Sequence, residues 1–159
     1  GRRFLLEDGH INMPGGEIYT SPVETSAEGT ISFSMPGSFA GRSVEGVVLE
    51  LRGGRVVRAK GRRGQELLDS LLAMDEGASA VGEVGVGLNP GLVRPSGDPL
   101  LDEKILGTAH IALGRSYAAC GGSNHSALHW DLVTDLRQEG RIRADGRIVM
   151  ERGVFAAGA

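Results

Sequence analysis

The sequence predicts a β-rich α+β domain with mainly antiparallel strands and one or two helices. Three observations carry that prediction. Short runs of β-branched and aromatic residues alternate with Gly, Pro and Asp-Gly punctuation. Two turn-forming dipeptides, Gly53-Gly54 and Asp145-Gly146, each stand between such runs at hairpin spacing. Only one long stretch repeats its leucines at helical spacing. Glycine supplies 26 of the 159 residues with no period, which excludes collagen and a flexible linker and reads as turn-rich β structure.

Taken in order, "EIYTSPVE" (17–24) and "GTISFSM" (29–35) read as strands. "EGVVLELRGGRVVRAKG" reads as a hairpin, with 47–51 and 56–58 as its arms. In "RRGQELLDSLLAM", Leu67, Leu68, Leu71, Leu72 and Met74 form the helical stripe, with Gly77 as its stop. A shorter helix is expected from Pro99 in "PLLDEKIL", with Asp102, Glu103 and Lys104 on a solvated face. "GTAHIALG" and "HSALHWDLV" read as strands, and "RIRADGRIVMERG" as a last hairpin.

The length suits one domain over residues 1–159. Twenty acids against 17 bases give a net charge of −3, so no electrostatic case exists for nucleic acid or an anionic membrane as partner. No apolar run approaches the roughly 18 residues that span a bilayer. The single cysteine, Cys120, excludes an internal disulfide and a multi-cysteine metal site, and a reducing cytoplasm is the expected location. The chain begins at Gly1 without a methionine and is expected to be part of a longer protein.

Chemistry is suggested by polar residues set where a solvated charge is not expected. His129 and Asp131 are two apart, hence on one strand face, with Leu128, Trp130 and Leu132 on the other. His110 lies within the apolar "GTAHIALG", Glu83 within "AVGEVGVGLNP", and Glu17 directly after Pro14-Gly15-Gly16. Singly, each has an ordinary explanation as a hydrogen-bonded or solvated strand residue. Together, two imidazoles and three carboxylates suit hard or borderline divalent ions. "GEVGVG" lacks the full phosphate-loop pattern. His10 reads as turn, His125 as exposed loop, Glu24 as a solvated strand end and Cys120 as non-catalytic.

Four blocks, "NMPGGEIYTSPVE", "GEVGVGLNP", "DEKILGTAHIALGRSY" and "HSALHWDLV", together resemble the C-terminal domain of the M29 family of metallo-aminopeptidases, over nearly the whole chain. The resemblance implies a dinuclear site with Glu17, Glu83, His110, His129 and Asp131 as ligands, and Tyr117 as a catalytic side chain. It implies two divalent ions (Zn, Co or Mn), short peptides with a free N-terminus as substrates, a homodimer, and an α/β domain ahead of this one. On that reading Glu83 is the bridging or base-like carboxylate. The segment between His110 and His129 is short for the family. The rival reading takes His110, His129 and Asp131 alone as the facial triad of a non-haem Fe(II) ring-cleaving dioxygenase of dihydroxypyridine. A third is a non-catalytic β module.

Overall fold

The structure is a computed structural model that describes residues 1–157. Along the chain, β1 (Leu5–Glu7) and β2 (Glu17–Thr20) are followed by β3 (Gly29–Ser32), β4 (Gly37–Phe39), β5 (Arg42–Val44), β6 (Val48–Arg52) and β7 (Arg55–Lys60). Helix α1 (Gln65–Leu72), β8 (Val81–Gly87), the one-turn α2 (Pro99–Asp102), β9 (Thr108–Gly114) and β10 (His129–Asp135) come next. The chain closes with β11 (Arg141–Ala144), β12 (Arg147–Glu151) and β13 (Val154–Phe155). The β-rich α+β expectation holds, and every strand pairing within the sheets is antiparallel.

The central sheet has the order β1-β2-β8-β9-β10. One of its faces is apolar: Leu113, Trp130 and Leu132 pack there against Leu49 and Leu51 of β6 and Leu67, Leu68 and Leu71 of α1. Fully burying such a side chain is worth roughly 1.5–3 kcal/mol, so this two-layer contact is the main source of cohesion. The β3-β6-β7 sheet forms the second layer with α1. The β4–β5 hairpin lies over Trp130, whose indole N–H donates to the Ser38 carbonyl at 3.1 Å. No helix among the described residues is long and apolar enough to cross a membrane.

Both hairpins fall where the dipeptides place them. Gly53 and Gly54 turn β6 into β7 with φ of 56° and 77°, and Asp145 and Gly146 turn β11 into β12 with φ of 50° and 79°. Positive φ at both central positions is the type I′ requirement that these residues meet. Two expectations need correction. Helix α1 stops at Leu72 with Ala73 as its C-cap, four residues before Gly77, and Met74 is exposed beyond it. Helix α2 is only four residues long, started by the Asp98 carboxylate accepting from the Leu100 N–H, and the chain then turns inward. The Asp102, Glu103 and Lys104 side chains are therefore buried, not solvated.

Candidate metal centre

Register decides which side chains meet. Residues directly opposed in an antiparallel pair point to the same side. Across the sheet the opposed pairs run Glu7 to Glu17, Glu17 to Gly87, Gly85 to His110, Ala112 to Asp131, and Gly114 to His129. Glu83 is opposed to Ala112. Glu17, Glu83, His110, His129 and Asp131 thus project from one face, opposite the apolar layer. His129 and Asp131 flank Trp130 because the tryptophan belongs to the other face.

β8 contains the device that permits this. Val81 and Glu83 are two apart and in a regular strand would share a face. A bulge between them lets Val81 oppose Leu113 and join the core while Glu83 opposes Ala112 and faces the site. The extra residue is Gly82, where a Cβ would lie 2.3 Å from the Gly114 carbonyl oxygen. At Gly85 a Cβ would lie 2.3 Å from the His110 ring, so the glycine leaves room for the imidazole. Several glycines therefore serve close approach inside a strand, a use distinct from the turns that composition suggested.

The donor atoms fall into two adjoining groups. Glu17, Glu103 and His110 form one, and Glu83, His129 and Asp131 the other; within each, one donor atom per residue lies within 4.8 Å of the others. Glu83 joins them: its Oε1 is 3.2 Å from His110 Nε2 and its Oε2 is 3.3 Å from His129 Nε2. Glu17 Oε2 is 3.3 Å from His110 Nε2. His129 Nε2 is 3.8 Å from Asp131 Oδ2. Its Nδ1 donates to the Arg115 carbonyl at 2.8 Å, which fixes the ring orientation and leaves Nε2 as the atom that faces the carboxylates. The His110, His129 and Asp131 set that a mononuclear iron centre would use is divided between the two groups.

Electrostatics mark the same place. Burial, then the charges of Asp131 and Glu17, push the Glu103 carboxyl up to about 8. Burial likewise raises Asp131, against the pull of both histidines. Burial opposes charge on His110 and on His129, but the hydrogen bond of each to Glu83 and the surrounding carboxylates outweigh it and raise both to about 9. Glu83 is lowered: its burial is outweighed by those two imidazoles. A concentration of negative charge is thus partly neutralised by protons. Two buried side-chain atoms among the described residues have no hydrogen-bond partner, Glu17 Oε2 and His110 Nδ1. An unpartnered buried carboxylate oxygen in a set of four carboxylates and two imidazoles fits divalent metal.

Tyr117 lies just past β9, its N–H donating to Ser21 Oγ at 2.8 Å. Its hydroxyl is 3.3 Å from His129 Nε2 and its ring packs against Tyr19 and, edge-on, His129. Burial, then Glu83 and Asp131, push the phenol upward, so it remains a proton donor. A cleft of about 580 Å³ opens onto these groups, with Leu5, Glu7, Tyr19, Leu100 and Tyr117 among its walls. Glu24, His10 and His125 lie elsewhere: Glu24 pairs with Arg2, and His10 with Asp8. Sequence reasoning missed Glu103 and Lys104. No local signal marked them, because their burial depends on Glu17, 87 residues earlier in the chain.

Comparison with known proteins gives the family of the chain. Residues 5–158 match the family described as thermophilic metalloprotease (M29). The chain belongs to that family. Among its M29 relatives, Aminopeptidase T of Thermus aquaticus is 35% identical over 111 residues, covering 67% of this chain and 27% of its own length. Aminopeptidase AmpS of Bacillus subtilis (strain 168) is 30% identical over 171 residues, covering 92% of this chain and 41% of its own. The M29 chain thus spans well under half of these relatives. The solved structure of wild-type AmpT from Thermus thermophilus superposes with a TM-score of 0.72 at 28% identity, covering 90% of this chain and 40% of that one. A 2,5-dihydroxypyridine dioxygenase from Pseudomonas putida KT2440 shares the fold with a TM-score of 0.67 at 21% identity, covering 89% of this chain and 43% of its own.

Proposed function

We propose that this chain is the metal-binding catalytic part of an aminopeptidase with two metal positions. The observation that carries the reading is Glu83, whose two oxygens each face a different histidine at 3.2 and 3.3 Å, the disposition of a bridging carboxylate. Glu17, Glu103 and His110 would hold one divalent ion, and His129 and Asp131, with Glu83 shared, the other. Zn, Co or Mn suits this donor set. Bound ions would supply Lewis acidity toward a peptide carbonyl and lower the pKa of a water to make it a nucleophile.

The protein's own groups do the rest. Tyr117, kept protonated, donates to the oxygen that gains charge in the transition state. Glu83, with one oxygen toward each position, would tie the two ions together. Leu5, Tyr19 and Leu100 offer apolar walls for a first side chain, and Glu7 a carboxylate for a free α-ammonium. The substrates would be short peptides with a free N-terminus, in line with the aminopeptidase relatives; a cytoplasmic location, in line with the single cysteine, and a homodimer complete the proposal. Elemental analysis together with release of N-terminal amino acids from a peptide panel tests the proposal. Two zinc-like ions per chain and peptide turnover are expected; one iron per chain and no turnover would favour the dioxygenase.

A further inference from the structure

The centre contains one buried cation that neither metal position accounts for. Lys104 has a fully buried side chain. Its Nζ donates to Glu17 Oε1 at 3.0 Å and to Glu103 Oε1 at 2.5 Å. Both acceptors belong to the group completed by His110; neither belongs to the group of Glu83, His129 and Asp131. The contact also joins distant parts of the chain, since Glu17 lies 87 residues before Lys104. The two bonds occupy one oxygen of each carboxylate. On Glu17 they leave Oε2 buried, without a hydrogen bond and 3.3 Å from His110 Nε2. An ammonium has three donors and no acceptor, so it can orient these carboxylates without becoming a ligand itself.

We propose that Lys104 is a positioning residue for the first metal position. It holds Glu17 and Glu103 by one oxygen each and presents the other to the ion, which sets the affinity of the site formed with His110. The inference rests on the two-metal reading above. One-oxygen ligation also favours a compact coordination shell over the six to eight oxygens that calcium takes. A lysine that merely tied α2 to β2 would change folding stability and leave the balance between the two metal positions alone.

The test is a Co²⁺ titration of the full chain, followed by calorimetry and by the visible spectrum. Wild type should take up two ions. Lys104→Met should weaken one step by about 10–100-fold, the usual effect of removing a group that orients a metal ligand, and leave the other within about threefold. Placed in a His110→Ala background, where only the second position remains, Lys104→Met should be silent; in a His129→Ala background it should weaken the remaining step by the same factor of about 10–100. Equal weakening of both steps, or no change in either, overturns the proposal. Where Lys104→Met does not fold by circular dichroism, Lys104→Gln is titrated with the same expectations. A crystal structure of the Co²⁺-loaded wild type needs no substitution: a two-oxygen grip by Glu17 or Glu103 overturns the role of Lys104. A wild-type chain that takes up no Co²⁺ refutes the two-metal reading itself, whereas two-ion uptake with an unchanged Lys104→Met isotherm refutes only Lys104.

Discussion

Gly85→Ala probes the centre through a single methyl group. Gly85 is opposed to His110 across the β8–β9 pair, and its backbone is not in the left-handed region, so alanine adds no φ strain. What it adds is volume in the wrong place. The new Cβ would stand 2.3 Å from His110 Cε1 and Nε2, about 1.1 Å inside the 3.4 Å where ordinary contact begins. It would also stand 3.1 Å from the Tyr19 Cβ on the neighbouring strand, so it cannot move away from the imidazole by moving toward β2. The imidazole must therefore shift by about 1 Å or rotate, while metal–ligand distances tolerate about 0.2 Å. Overpacking of this kind typically costs 1–3 kcal/mol, which a domain of ordinary stability survives. The expected result is a folded protein that has lost tight binding at the Glu17–Glu103–His110 position and keeps the other. Calorimetric metal titration with a urea melt in parallel reads both quantities. Wild-type affinity at both positions in a folded Gly85→Ala protein would refute the steric argument and, with it, the assignment of His110.

Other outcomes follow from the same geometry. His129→Ala and Asp131→Ala should each lower metal content as read by elemental analysis, because on the proposed reading both side chains, whose donor atoms lie together with that of Glu83, serve one position; unchanged content in both variants would remove that position. Tyr117→Phe, in the longest active form of the enzyme, should leave metal content unaltered and reduce kcat by about 10²–10³, the usual loss for one oxyanion donor; a near-normal kcat would exclude the tyrosine. Asp75 accepts from the Ala127 N–H and the Ser126 hydroxyl, which hold its carboxyl below the ordinary 3.8 despite a small opposing effect of burial. Because the folded value is the lower one, its stabilisation is present above 3.8 and is lost as pH falls through the folded value. Asp75→Asn should therefore lower stability in urea melts at pH 7, by a penalty that shrinks as pH falls below 3.8; a penalty that does not shrink would refute the charge argument.

Much of this arrangement was legible in the chain, for identifiable reasons. The alternation of His129, Trp130 and Asp131 is a local property of a strand, so spacing alone sorts those residues to two faces. The hairpins were readable because positive φ at both turn positions restricts which residues can stand there. Other features depend on contacts remote in sequence. Nothing near Glu83 announces the Gly82 bulge, since its cause is the close passage of the Gly114 and Arg115 carbonyls more than 30 residues on. Glu103 and Lys104 looked like surface because charged residues after a helix start usually are. Their burial follows from α2 ending after one turn and from Glu17 waiting on β2.

The buried charges themselves argue for a ligand. Four carboxylates, Glu17, Glu83, Glu103 and Asp131, converge on one side of a sheet with a single buried lysine among them. Two like charges about 4 Å apart repel by about 4 kcal/mol at an effective dielectric of 20, and on this face that repulsion is offset by the lysine and by protons held on Glu103 and on the two imidazoles, which a divalent cation would displace. Burial of ion pairs is poor evidence for stability, because well-packed apolar residues would do as well or better. A fold that wanted only cohesion on this face could have repeated the leucines and tryptophan of the opposite one. The sheet instead inserts a bulge to aim Glu83, removes a side chain at Gly85 to admit His110, and leaves Glu17 Oε2 without a hydrogen bond. Each of these departures costs stability by itself and would become favourable with cations between the carboxylates, which is the sense in which the face suits metal.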